Sequence, residues 1–468
     1  MTLLALNLLY KMRFAKLSAT QTTLHNMSSP SFTMSVLLSL SLFSLFAFLA
    51  QAQVPANETF KFVNDQEFGP YIVEYDGSYR MLSIFASPFQ FAFYNTTPNA
   101  FTLALRMGLT RSESLFRWVW EANRGNPVGE NATLTFGTNG NLVLADADGR
   151  VAWQTNTANK GVVGLKLLPT GNLVLYNSKG VFVWQSFDYP TDTLLVGQSL
   201  KAGGVNKLVS RLSESENKDG PYSLVMEPKG LAMYYKSPNS PKPLLYFSFY
   251  DRITVQTGTL DHVTLNVADT DDGFAYDITL DYQIANSTNS GTLILARPKY
   301  NATSTFLRLG IDGNVKFYTY NDKVDYGAWE VTFRLFDRDN FVWEQECQLP
   351  ERCGSFGVCE DSQCVACPSS SGVLLGWSKT CAAEKLTSCD AKSFHYYKID
   401  GVDHFLSKFT TGSATKEADC GKKCTSDCKC LGYFYNRDSS RCWIAYELKT
   451  LTKVANSTHV GYIKAPNH

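Results

Sequence analysis

Three stretches of the sequence place groups able to hydrogen-bond a ligand at every second position of what reads as a β-strand. In "GNLVLYNSKGVFVWQSF" from Gly171, the side chains of Asn172, Val174 and Tyr176 share one face while Leu173 and Leu175 point the other way. An amide and a phenol on a common ledge can donate and accept hydrogen bonds on either side of a small apolar patch. "GNLVLADADGRVAWQT" from Gly140 is a near copy: Asn141 with Asn172, Gly149 with Gly180, Trp153 with Trp184 and Gln154 with Gln185 are all offset by thirty-one positions. A third stretch, "FLRLGIDGNVKFYTY", offers Asp312, Asn314 and Tyr318. "NSKG" and "DADG" are turns. A hairpin repeated at constant spacing suggests subdomains around an axis, with Trp153 and Trp184 in equivalent central positions.

The cysteines form the second constellation. All twelve lie in one block: Cys347, Cys353, Cys359, Cys364, Cys367, Cys381, Cys389, Cys420, Cys424, Cys428, Cys430 and Cys442. "CVAC" at Cys364 and Cys367 matches half a zinc site or a redox pair, but an even, dense block in a chain that reads as secreted is a disulfide framework. The acidic "DTDDG" from Asp269 lacks the spacing and terminal Glu of an EF-hand and reads as a solvated turn. No metal or cofactor is expected. Beyond the targeting segment, His262, His395, His404, His459 and His468 sit in no nucleophile elbow, zinc motif or triad, so no enzyme is expected.

The elements that must position these groups follow from composition. A chain of 468 residues should hold about three domains. Lys and Arg number 43 against 43 Asp and Glu, so no net field draws the chain to nucleic acid or an anionic membrane. Aromatics at 13% among Val, Thr and Gly at short intervals indicate a mainly β fold. Near the N-terminus, the apolar run from Val36 to Ala50, with small residues at Ala50 and Ala52, reads as a secretion signal cleaved after Ala52. No later run is long enough to cross a bilayer, so no membrane contact is expected once the signal is removed. Sequons at Asn57, Asn95, Asn131, Asn286, Asn301 and Asn456 suit N-glycosylation. The one helix expected runs through "KEADCGKKC", capped by Thr415, with Glu417 and Asp419 in its first turn and Cys420 and Cys424 on one face.

"VWEANRGNPV" from Val119, "VWQSFDYPTDTLLVGQSL" from Val183 and "CGSFGVC" from Cys353 together resemble the extracellular region shared by S-locus glycoproteins and G-type lectin receptor kinases of plants. The likeness is greatest to the secreted epidermis-specific glycoproteins of that group. It implies tandem bulb-type lectin domains of the β-prism II type at 53–200 and 201–341, after a targeting segment at 1–52. A small disulfide-rich EGF-like module at 342–385 and a PAN or apple-like module at 386–468 would follow. The EGF-like pattern implies Cys347 with Cys359, Cys353 with Cys364 and Cys367 with Cys381; "EQE" before Cys347 lacks the ligands of a calcium-binding variant. The six later cysteines allow fifteen connectivities, among which Cys420 with Cys442 and Cys424 with Cys430 are preferred.

Bulb lectins hold mannose on a Gln-x-Asp-x-Asn-x-Val-x-Tyr strand, whose alternate side chains meet adjacent hydroxyls. Asn172, Val174 and Tyr176 keep the last three places, but Leu168 and Thr170 replace Gln and Asp. The earlier copy keeps Asn141 and Val143, with Gly137, Asn139 and Ala145 elsewhere. The third keeps Asp312, Asn314 and Tyr318, with Gly310 for Gln and Lys316 for Val. Losing the acid costs about 1.5 to 3 kcal/mol, roughly ten- to a hundredfold in affinity. Two readings result. One is a secreted lectin-like glycoprotein of the wall or apoplast that binds a glycan or wall polysaccharide through a degenerate site. The other is an extracellular interaction or structural protein acting through a protein partner or self-association.

Overall fold

The computed structural model describes residues 53–108, 116–253, 258–269, 276–296, 304–320, 329–339 and 342–467. The targeting segment, Asn301, His468 and the acidic turn at 270–275 lie outside these residues.

Alternating strands close by hydrogen bonding into sheets arranged as two prisms. The first prism has one sheet of four consecutive strands, Ser78–Ala86, Phe89–Asn95, Thr102–Met107 and Arg117–Glu121. Its second sheet joins Phe60–Val63 to Thr133–Phe136, Leu142–Ala145 and Val151–Gln154, and its third holds Val162–Leu167, Leu173–Asn177 and Phe182–Gln185. Leu173 and Leu175 are fully buried, and Val174 on the opposite face is buried as well, so the strand is covered on both sides there. The repeated turns need a left-handed residue, and Gly149 and Gly180 supply it at φ +89° and +77°. Trp153 and Trp184 meet edge to face at 5.7 Å, and Trp120 completes a triangle at 5.9 and 6.2 Å.

The second prism repeats the plan with three four-stranded sheets. Two of them are completed by the short strands Thr193–Leu195 and Ser199–Lys201, which pair with Thr305–Leu309 and Leu260–Asp269. The division expected at residue 200 therefore falls inside a strand. Pairing assigns the chain from Thr193 onward to the second prism, because two sheet edges there would otherwise lack partners.

Buried ion pairs and hydrogen bonds join the prisms. Arg124 pairs with Glu121 at 2.5 Å and Asp192 at 2.9 Å; Arg308 of the second prism pairs with Glu74 of the first at 2.6 Å. Arg211 reaches across to the Tyr94 hydroxyl at 2.7 Å. Burial favours the neutral form of Asp192, but Arg124 and Arg308 outweigh it and hold the carboxyl below its usual range. Removing one partner of such a buried pair costs about 3 to 5 kcal/mol.

The cysteine-rich tail contains two five-stranded sheets and six disulfides: Cys347–Cys359, Cys353–Cys364, Cys367–Cys381, Cys389–Cys428, Cys420–Cys442 and Cys424–Cys430. "CVAC" is thus split between two bonds. One sheet crosses the expected division after residue 385, since Val358–Glu360 pairs in parallel with Leu451–Lys453. The helix spans Glu417–Thr425 with Lys416 at its N-cap and no side-chain cap, so Thr415 does not play the expected role. Thr415 is held instead by its backbone, which bonds Ser440 O and accepts from the Tyr435 hydroxyl. A second short helix, Leu406–Phe409, was not foreseen; Phe405 and Leu406 sink into the core of the second prism.

Candidate functional site

The three ledges have one feature in common that only the folded chain reveals. Asn141, Asn172 and Asn314 are 7%, 4% and 2% exposed, and each clamps the chain where it leaves the last strand of its sheet. Asn172 donates to Gln185 Oε1 at 2.9 Å and accepts from Phe187 N–H at 3.2 Å. Asn141 donates to Gln154 Oε1 at 2.8 Å and accepts from Thr157 N–H at 3.0 Å. Asn314 donates to Phe336 O at 2.8 Å and accepts from its N–H at 3.1 Å. Their amides are committed within the fold. Val174, next along the first ledge, is 1% exposed. Tyr176 lies over Gly164, where even a Cβ would collide with its hydroxyl.

The ledge of Asp312 and Tyr318 differs, because its outer face turns toward the first prism. Phe306 belongs to the core of that prism, and Tyr318 stacks on Phe306 at 5.1 Å. A cleft of about 570 Å³ remains beside this contact. One wall carries Asp312, Lys316 and Tyr318; the other carries Glu74, Tyr75, Asp76 and Arg117.

Electrostatics in the cleft are tight. Glu74 takes Arg117 at 2.7 Å as well as Arg308. Arg117 sits 5.1 Å from the Tyr318 ring centre, and its buried Nε has no hydrogen-bond partner among the described residues. Burial, reinforced by Glu74, pushes the Tyr75 phenol up and keeps it protonated. Tyr75 and Asp76 hold left-handed backbone at φ 67° and 48°, a strained arrangement for side-chain-bearing residues. Asp312 accepts from Asn314 N–H at 3.1 Å and is neutralised by Lys316 at 2.5 Å, the residue standing where the mannose strand has Val. A Cβ at Gly310 would meet the Asp312 carboxylate as it now lies, so a side chain there requires Asp312 to shift.

Residues 117–214 match the D-mannose binding lectin family. The chain is 53% identical over 427 residues to EP1-like glycoprotein 4 of Arabidopsis thaliana, covering 91% of this chain and 95% of that one. It is 64% identical over 362 residues to the epidermis-specific secreted glycoprotein EP1 of Daucus carota, covering 74% and 92%. The chain belongs to the EP1-like glycoprotein family. A G-type lectin S-receptor-like serine/threonine-protein kinase of Arabidopsis thaliana is 28% identical over 372 residues, covering 74% of this EP1-like chain and 38% of the kinase. Among solved structures, a monomeric mannose-binding lectin from Gastrodia elata shares 21% identity over 28% of this chain and 96% of its own, with a TM-score of 0.17.

In this EP1-like chain Asp312 and Tyr318 line one cleft while Asn314 turns into the fold; on a separate strand Asn172 and Val174 are buried and Tyr176 is half-buried. The opposite wall of the cleft escaped the sequence reading. Glu74 lies more than two hundred residues from Arg308, and no local pattern marks it. Of the sequons within the described residues, Asn57, Asn131, Asn286 and Asn456 are exposed and Asn95 is half-buried. No described helix is long and apolar enough to cross a membrane.

Proposed function

We propose that this chain is a secreted, N-glycosylated, lectin-like glycoprotein of the wall or apoplast that recognises an extracellular glycan in the cleft between its prisms. The observation that carries this reading is the convergence of Tyr318, the Arg117 guanidinium and the carboxylates of Asp76 and Asp312 on one open cleft. Phenol rings supply an apolar platform for a sugar face, and the charged groups supply donors and acceptors for hydroxyls. The relative described as secreted supports the compartment, and the D-mannose binding lectin family matched by residues 117–214 supports the ligand class. The Asn172 strand serves the fold.

A glycan array on the mature protein tests the reading. Binding weakened about tenfold by Asp312→Asn and unaffected by Tyr176→Phe supports the cleft. Loss on Tyr176→Phe alone returns recognition to the outer strand.

A second reading, protein contact, is favoured by one feature of the tail. Leu374–Gly376 is an exposed edge strand, and Val373, Leu375 and Trp377 around it are 55%, 56% and 38% exposed. Silence on the array together with self-association abolished by Leu375→Asp would support that reading.

A further inference from the structure

A second cavity, of about 420 Å³, opens where the second prism meets the tail. Four separate stretches, 343–348, 403–408, 436–443 and 452–459, contribute its walls. Two tryptophans line it, and both are held firmly. Trp343 lies edge-on to Phe249 and Phe333, each at 5.9 Å, with the Arg252 guanidinium 4.4 Å from its ring centre. Trp443 donates its Nε1–H to Thr410 Oγ1 at 3.0 Å.

Asp403, His459 and Asn436 form a hydrogen-bonded chain on the same lining. Ser439 N–H donates to Asn436 Oδ1 at 3.0 Å, which turns the amide Nδ2 toward His459 Nε2 at 2.7 Å. Nε2 is therefore the acceptor, and Nδ1 carries the proton and donates it to Asp403 Oδ1 at 2.6 Å. With Nε2 occupied, His459 has no nitrogen left to take a proton from a substrate, so the pair is not a general-base dyad. What the chain leaves is Asp403 Oδ2, without a partner among the described residues, on a carboxylate held in place. The Gln345 side chain also lines the cavity with its amide unpaired among those residues.

We propose that this cavity is a binding site for a neutral sugar unit, separate from the inter-prism cleft. Fixed indoles offer apolar surface to the C–H face of a pyranose or furanose, while a fixed carboxylate oxygen and an amide suit neighbouring hydroxyls. The volume is within the range of small-ligand sites. Charge argues against an anionic ligand: Lys408 is the lysine of the lining and is paired with Glu344 at 2.5 Å. The ligand class is thus an uncharged saccharide rather than a phosphate or uronate.

Saturation-transfer NMR on the full mature chain tests this, using a panel of neutral pentoses, hexoses and their disaccharides beside inorganic phosphate and glucuronate. A neutral sugar should bind at millimolar concentration, with affinity reduced about tenfold by Asp403→Asn. Gln345→Leu, an exposed position outside the hydrogen-bonded chain, should weaken it as well and guards against misfolding of the first variant. Asp312→Asn in the cleft should leave this binding intact. The proposal is overturned if no neutral sugar binds, if the anions alone bind, or if both junction variants bind as the wild type does. Loss of all binding in Asp312→Asn with none in Asp403→Asn would overturn it while upholding the cleft.

Discussion

The prisms and the tail hold themselves together by different means. From 53 to 339 the chain has no cysteine; its cores are broad, and buried ion pairs fasten one prism to the other. From Cys347 to Cys442 six disulfides secure a region whose own apolar cluster is a fraction of that size. Small modules cannot bury enough surface to offset chain entropy, so covalent bonds restrict the unfolded state instead. Cavities open in both regions where elements meet, whereas the amides along the individual strands are committed within the fold.

The largest effect that sharpens this contrast is reduction. Each bond of the tail is worth about 2 to 5 kcal/mol, so a reductant should unfold the tail while the prism strands persist. Amide exchange followed by mass spectrometry separates the two. Protection of 358–467 should collapse first, and simultaneous loss in the prisms would break the comparison. In the prisms the counterpart is Arg308→Ala, which leaves Glu74 with Arg117 alone and removes the bonds to Thr193 and Trp118, and should cost about 3 kcal/mol in denaturant melts. A loss under 1 kcal/mol would show that the pair does not fasten the joint.

Acid should also act on the tail. His404 is fully buried, and burial pulls it down to about 4; its Nδ1 accepts from Leu406 N–H and its Nε2 faces Glu447 O. The fold keeps it neutral while the unfolded chain takes up a proton near pH 6.5. Its contribution is therefore full above pH 6.5 and is lost progressively as pH falls toward 4, by about 3 kcal/mol. His404→Gln should flatten the pH dependence of tail stability in that window. An unchanged slope would place the acid response elsewhere.

Much of the fold was legible. The constant offset of the hairpins announced equivalent subdomains, and Trp153 and Trp184 do meet at their centre, although Trp120, their third partner, lies off the thirty-one-residue spacing. The cysteine block identified the tail. The limits of each region were less legible, because Thr193–Leu195 and Ser199–Lys201 are assigned by which edge they cover, a long-range fact. The site was legible only in part. Alternation correctly put Asn172 opposite Leu173, yet could not tell whether the amide faces a ligand or Gln185. Asp312 and Tyr318 stood out in sequence, but Glu74, Tyr75 and Arg117 join them only through the packing of one prism on the other.

The smallest effect in energy is the most telling. Asn172→Ala should lower stability by about 1 to 3 kcal/mol, as a buried clamp is lost, and leave glycan affinity of the mature protein unchanged when melts and array are run on one preparation. A variant as stable as the wild type that no longer binds glycan would contradict the assignment of this strand to the fold.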